Sequence, residues 1–162
     1  MEQLQIENLK ENKRKACAFT GHRELFGDFS KTKLKKQIEK LIQEGVLVFF
    51  VGMAKGFDLA AAEEVIKLKK KYPVKLVACI PYYGQEKGYS EKDKKRYVAI
   101  LKKCDEQVLT TDSYFRGCEL VRNKYMVDNA THLIAYLKKD TGGTAYTVKY
   151  FKKKKGENII FI

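Results

Sequence analysis

Leu47-Val48-Phe49-Phe50-Val51-Gly52-Met53-Ala54-Lys55-Gly56-Phe57-Asp58 passes from an unbroken run of large apolar residues into a loop marked by two glycines. Ala61, Val65, Leu68 and Tyr72 then recur at helical spacing until Pro73 stops them. A strand exposed on one face alternates apolar with polar residues. A continuous run reads as a strand covered on both faces, the condition of a parallel sheet.

The same strand–loop–helix unit repeats along the chain. Further strands are expected at 15–19, 75–80, 106–109, 131–137 and 158–162. Leu34, Ile38, Leu41 and Ile42 form a helical stripe that Gly45 ends. Ser90 with Asp93 opens another helix, followed by Tyr97, Ile100, Leu101 and Cys104 on one face. Two more helices are expected at about 119–129 and from Thr144 onward, the last carrying Val148 and Phe151. Strict alternation with short connections implies right-handed crossovers. The expected fold is α/β: three layers around a doubly wound, mainly parallel sheet of about six strands. Residues 1–14 read as a polar N-terminal tail and 15–162 as a single domain. Strands 1 and 4 are expected to flank the point where strand order reverses.

Composition narrows the function classes. The chain has 162 residues, 44% of them hydrophobic, and a formal net charge of +13. No apolar run approaches the length of a membrane helix, and the first residues lack the build of a signal peptide. Cys17, Cys79, Cys104 and Cys118 lack metal-ligand spacing and read as reduced thiols in a cytoplasmic protein. No metal or cofactor is expected. The Lys residues fall on several helices, which reads as solvated faces rather than a nucleic-acid footprint. Only five of the 33 Lys and Arg residues are Arg, and Arg23, Arg116 and Arg122 fall where loops should form. A planar, bidentate donor suits phosphate or carboxylate better than a Lys point charge.

In an open α/β sheet, ligands bind outside the carboxyl ends of the strands. That rule gathers Thr20-Gly21-His22-Arg23, then Gly52-Met53-Ala54 with Gly56 and Asp58, then Tyr82 with Tyr83 and Tyr89, then Arg122-Asn123, and finally Gly142-Gly143-Thr144. Two glycines before a helix let its free N–H groups approach an anion, with the Thr144 hydroxyl beside them. The second glycine loop repeats the arrangement, and neither fits a dinucleotide or kinase-like phosphate loop. His22 reads as a general base, a loop cap or a ligand contact, and Asp58 as a helix cap or a ribose contact. Glu63 and Glu64 lie deeper in the second helix, at least one of them facing solvent. His132 sits at the opposite edge.

Thr20-Gly21-His22-Arg23, Gly52-Met53-Ala54-x-Gly56-x-Asp58 with Ala61-Ala62-Glu63, Arg122-Asn123-x-x-Met126-Val127-Asp128 and Gly142-Gly143-Thr144 occur in that order. With these motifs the chain resembles the YpsA-like family of the SLOG superfamily, a Rossmann-like group that includes the Lonely-guy enzymes and DNA-processing protein A. The resemblance covers about residues 15–162. It implies a bacterial or phage protein with a nucleotide-derived ligand, of the ADP-ribose or NAD-derived type. Lonely-guy enzymes follow their glycines with a catalytic Glu, whereas here Ala145-Tyr146-Thr147 follow, so binding or sensing without chemistry is the leading expectation. A nucleotide N-glycosidic hydrolase using Asp58, Glu63, Asp128 or His22 is one alternative. A DNA-binding protein resembling DNA-processing protein A is the other, with Lys55 standing where that protein has Arg. A homo-oligomer stays open; a membrane partner is not expected.

Overall fold

Strand β1 (Ala16–Gly21) turns Cys17 and Phe19 to one side and Ala18 to the other, as extended backbone must. The two sides meet different helices, and both are buried. The computed structural model describes residues 15–162; the expected tail, 1–14, lies outside the described residues. The remaining strands are β2 (Val48–Val51), β3 (Lys75–Ile80), β4 (Glu106–Leu109), β5 (His132–Tyr136) and β6 (Ile159–Phe161). The helices are α1 (Lys31–Gln43), α2 (Phe57–Leu68), α3 (Glu91–Lys103), α4 (Cys118–Asp128) and α5 (Gly143–Lys155), with a short 3-10 turn at Gln85–Gly88.

Local chemistry sets the helix ends. Ser30 Oγ accepts from the Lys33 N–H at 3.1 Å, and Ser90 Oγ accepts from the Asp93 N–H at 3.2 Å. After α1, Gly45 takes φ 99°, a left-handed value that glycine adopts without a side-chain clash. Helix α2 ends at Leu68 and one further turn, with the Tyr72 N–H on the Leu68 carbonyl, leads to Pro73.

Helices α1, α2 and α3 bury Leu34, Ile38, Leu59, Val65 and Ile100 against Phe19, Phe49, Leu76 and Ile134. Helices α4 and α5 bury Met126, Val127, Val148 and Phe151 on the other face, against Ala18, Cys79 and Leu133. Three layers result. All six strands are parallel, in the order β4-β3-β2-β1-β5-β6.

That order corrects one expectation. The reversal point lies between β1 and β5, and β4 is an edge strand. Three crossovers of one hand carry the chain from β1 outward to β4, with their helices on one face. The chain then travels back past β1 through α4, and the same hand run in the opposite direction places α4 and α5 on the other face. Arg122 follows β4 in sequence, but α4 carries it back over the middle of the sheet. Among the described residues, no helix is long and apolar enough to cross a membrane.

Helix α2 meets the sheet closely at Gly21, where an added Cβ would strike the Phe57 ring at the start of α2. Gly21 is not in a left-handed conformation, so this cost is steric. Gly21→Ala should destabilise the fold by about 1–3 kcal/mol in urea unfolding. Phe57→Leu should recover part of that loss in the double variant, and strictly additive losses would contradict the contact.

Candidate functional site

Four loops and one helix meet at the carboxyl edge of the sheet, and one side chain reaches across them. Arg122 sits in the second turn of α4, 4% exposed, and donates from Nη1 to the Gly52 carbonyl and from Nε to Asn123 Oδ1 at 2.8 Å. It is a buried residue of the helix expected at about 119–129, although its Arg identity had pointed to a loop. Gly52 has no side chain because the guanidinium occupies that space: an added Cβ would meet its carbon at 2.7 Å. The Gly52 carbonyl also accepts from Gln85 Nε2 at 3.3 Å.

The rest of the β2–α2 loop is held as firmly. Met53 is fully buried and takes φ 64°, an uncommon conformation for a residue with a side chain. Its carbonyl accepts from Tyr89 Oη at 3.0 Å, which commits Tyr89 to the loop. Gly56 has φ 79°, and a Cβ there would collide with the Arg23 carbonyl. The Phe57 N–H donates to the His22 carbonyl at 3.1 Å, which ties the start of α2 to the loop after β1.

Asp58 lies in the first turn of α2, 6% exposed, with Oδ2 accepting from the Ala54 N–H at 3.2 Å. It closes the glycine loop and does not act as the N-cap, a position Gly56 fills. Burial pushes its carboxyl up to about 6, against the opposing pull of Arg122, the Ala54 N–H and Arg23. His22 Nε2 accepts from the Lys138 N–H at 2.8 Å, so this nitrogen is unprotonated and tied to the loop after β5. Burial, then Lys139 and Lys138, lower its pKa and keep the ring neutral. That is the loop-capping role among its three readings.

Gly142 caps α5 with φ 96°, and Gly143 begins the helix. A Cβ at either glycine would meet nothing within 4 Å, so both border open space. Thr144 behind them is 6% exposed.

These parts enclose a cavity of about 390 Å³, within the size range of small-molecule sites. Thr20, Gly21, His22 and Arg23 line it from the end of β1. Ala54 and Asp58, Arg122 and Asn123, and Gly143 and Thr144 complete the walls from three other segments. Gly52, Met53, Gly56, Tyr82 and Gly142 stand outside the lining. The sequence reading missed Glu119 and Lys139, which also line it, together with Glu24, Phe26 and Leu120. Glu119 looks like any acid in a first helical turn, and Lys139 is one Lys among many. Arg116 is exposed on the loop before α4 and is not in the lining.

Two acids considered for catalysis lie elsewhere. Glu63 is bound by Arg96, with Oε2 3.2 Å from Nε, on the α2–α3 side. Asp128, at the far end of α4, accepts from Tyr150 Oη at 2.8 Å. Neither Glu63 nor Glu64 stands free in solvent: Glu64 is 4% exposed and pairs with Lys67. His132, at the opposite edge, contacts Thr131 Oγ1 through Nδ1 at 2.8 Å.

The sequence profile described as the YspA SLOG family matches residues 19–162, and the chain belongs to this family. A UPF0398 protein of Halalkalibacterium halodurans is 32% identical over 130 residues, covering 78% of this chain and 69% of that protein. A UPF0398 protein of Bacillus thuringiensis is 25% identical over 130 residues, covering 78% and 71%. DNA processing protein A of Streptococcus pneumoniae has the same fold, with a TM-score of 0.62 at 21% identity over 95% of this chain. This chain spans about half of that one, 52% of its length. DNA processing protein A of Helicobacter pylori, described for its unique single-stranded DNA binding mode, has a TM-score of 0.64 at 16% identity, covering 94% of this chain and 67% of that one.

Asp58 gives the site a pH signature. In an unfolded chain an Asp titrates near 3.9, and burial lifts Asp58 to about 6 in the fold. The folded protein therefore holds that proton more tightly, and stability falls as pH rises through this window. Asp58→Asn removes the cost of ionisation. Its stability relative to the unsubstituted protein should rise by up to about 3 kcal/mol between about pH 4 and pH 7 in urea melts. A difference that stays flat across this range would contradict a buried, ionising Asp58.

Proposed function

We propose that this cavity binds a small phosphorylated, nucleotide-derived ligand of the ADP-ribose or NAD-derived kind and does not turn it over. The observation that carries the reading is the convergence of Arg23, Arg122 and Lys139 with the glycine-led start of α5 on one cavity. The free N–H groups of that helix end favour an anion. Gly143 and Thr144 hold one phosphate; Arg23, exposed and unencumbered by a hydrogen bond within the described residues, neutralises another. Asp58, with one carboxylate oxygen bonded to the Ala54 N–H, turns the other towards a ribose hydroxyl.

Binding without hydrolysis agrees with the chemistry available. The helix after the glycines continues Ala145-Tyr146-Thr147, with no acid in its first turns. The His22 Nε2 lone pair is engaged by the Lys138 N–H, which removes it as a ready base. Asp58, Glu24 and Glu119 are the acids that line the cavity, and the hydrolase alternative would have to work through one of them. Release of free base from nucleoside monophosphates or NAD, abolished by Asp58→Asn, Glu24→Gln or Glu119→Gln, would establish that alternative.

Nucleic-acid binding is a second reading, supported by the shared fold of the two DNA processing proteins and by the net charge of +13. It separates from the first by salt and by residue. A nucleotide ligand at 100 times its dissociation constant should raise stability by about 2.7 kcal/mol in a thermal-shift panel. Arg23→Ala should weaken that ligand by about ten- to a hundredfold, the worth of a charge-assisted hydrogen bond. Binding of oligothymidine should change little with the same substitution and fall steeply with added salt. No stabilisation by any nucleotide, with tight oligothymidine binding that depends on Arg23 at physiological salt, would reverse the order of the two readings.

A further inference from the structure

Outside the cavity lining, the loops after β3 and β4 carry five aromatic residues, three of them exposed. Tyr83 is 73% exposed, Tyr114 63% and Phe115 47%. Tyr82 meets Tyr114 edge to face, with ring centroids 5.0 Å apart and planes at 74°. An edge-to-face pair leaves the face of one ring turned away from the other, and the exposed ring is Tyr114.

This pair is fixed in place. The Thr110 N–H donates to the Ile80 carbonyl at 2.9 Å, and Thr111 Oγ1 donates to the Pro81 carbonyl, so the loop after β4 is stitched to the loop after β3. The Cys118 N–H returns to the Phe115 carbonyl at 3.0 Å, and Gly117 with φ 94° turns the chain into α4. Glu119, one residue into that helix, lines the cavity. Burial first, and then the Glu119 carboxylate, raise the pKa of the Tyr82 phenol.

We infer that Tyr82 and Tyr114 form an aromatic subsite that stacks the base of a nucleoside diphosphate whose phosphates lie in the cavity. The inference rests on the nucleotide reading above and specifies where its base goes and how long the ligand is. Tyr82 follows β3 and Tyr114 follows the edge strand β4, while the glycine-led helix follows β5; β2 and β1 lie between β3 and β5. Three interstrand spacings of about 4.8 Å set the Tyr82 end roughly 14 Å from α5, and Tyr114 lies one strand beyond. A monophosphate puts one sugar between base and phosphate; a diphosphate extends that reach towards α5. A flat base covers an exposed tyrosine face without needing a particular hydrogen-bond pattern, so the subsite selects for a base without specifying which.

The test compares ADP-ribose with ribose 5-phosphate, each titrated by calorimetry into the unsubstituted protein, Tyr114→Ala and Tyr114→Phe. Tyr114→Ala should weaken ADP-ribose at least about fivefold, the low end of base–aromatic stacking, and leave ribose 5-phosphate unchanged. Tyr114→Phe keeps the ring and should keep the affinity. Thermal melting checks that each variant is folded. An unchanged affinity for ADP-ribose in Tyr114→Ala, or equal losses for both ligands, would overturn the subsite and leave the phosphate reading standing. Absence of binding by either ligand to the unsubstituted protein would overturn both.

Discussion

The Arg122 guanidinium lies against the α-carbon of Gly52 and donates to its carbonyl, and the carboxyl edge is organised around this contact. It joins α4, on one face of the sheet, to the loop that opens α2 on the other. A buried cation with its donors on a backbone carbonyl and on Asn123 is costly to leave unpaired, so the parts around it are constrained to stay together. Asp58 supplies nearby negative charge and closes the same loop through the Ala54 N–H. The αL conformation of Met53 and the close approach of Gly56 to Arg23 are the backbone's accommodation to that arrangement.

Under the proposed nucleotide reading, the cavity has to take an anion although it contains carboxylates. Burial makes Asp58 harder to ionise than an ordinary Asp, and Arg122 offsets the charge it carries above about pH 6. The outer wall is basic through Arg23 and Lys139, and the helix end at Gly143 adds its dipole. The loops carrying these groups are tied crosswise. His22 holds the Lys138 N–H, and Tyr136 Oη links the Phe26 N–H to Asp28 at 3.1 and 2.9 Å. The site is therefore largely assembled by the protein's own contacts, which would lower the ordering cost of the proposed binding.

Much of the fold was legible in the sequence because local signals and the apolar pattern agreed. Ser90 with Asp93, the stripe from Leu34 to Ile42, and the continuous runs such as Leu47–Val51 correspond to observed elements. Strand order was not legible. The return of α4 across the sheet is a tertiary event, and the position of Arg122 after strand 4 drew the reversal point to the wrong strand. The site's glycines were readable as loops, but their purposes differ. Gly52 yields space to Arg122 and Gly56 to the Arg23 carbonyl, whereas Gly142 and Gly143 border open space. Tyr89 drew notice as an aromatic and proved to be a hydrogen-bond donor to Met53. Glu119 and Lys139 carried no local signal, since only the packing of α4 and the turn after β5 brings them to the cavity.

The most direct test of the central claim is a chemical-shift titration of the backbone amides with ADP-ribose. The account predicts saturable shifts at Gly143 and Thr144, at Thr20 to Arg23 and at Ala54 to Asp58, with the lysine-rich outer faces of α1 and α5 unaffected. Shifts confined to those lysine faces, or none at saturating ligand, would contradict it.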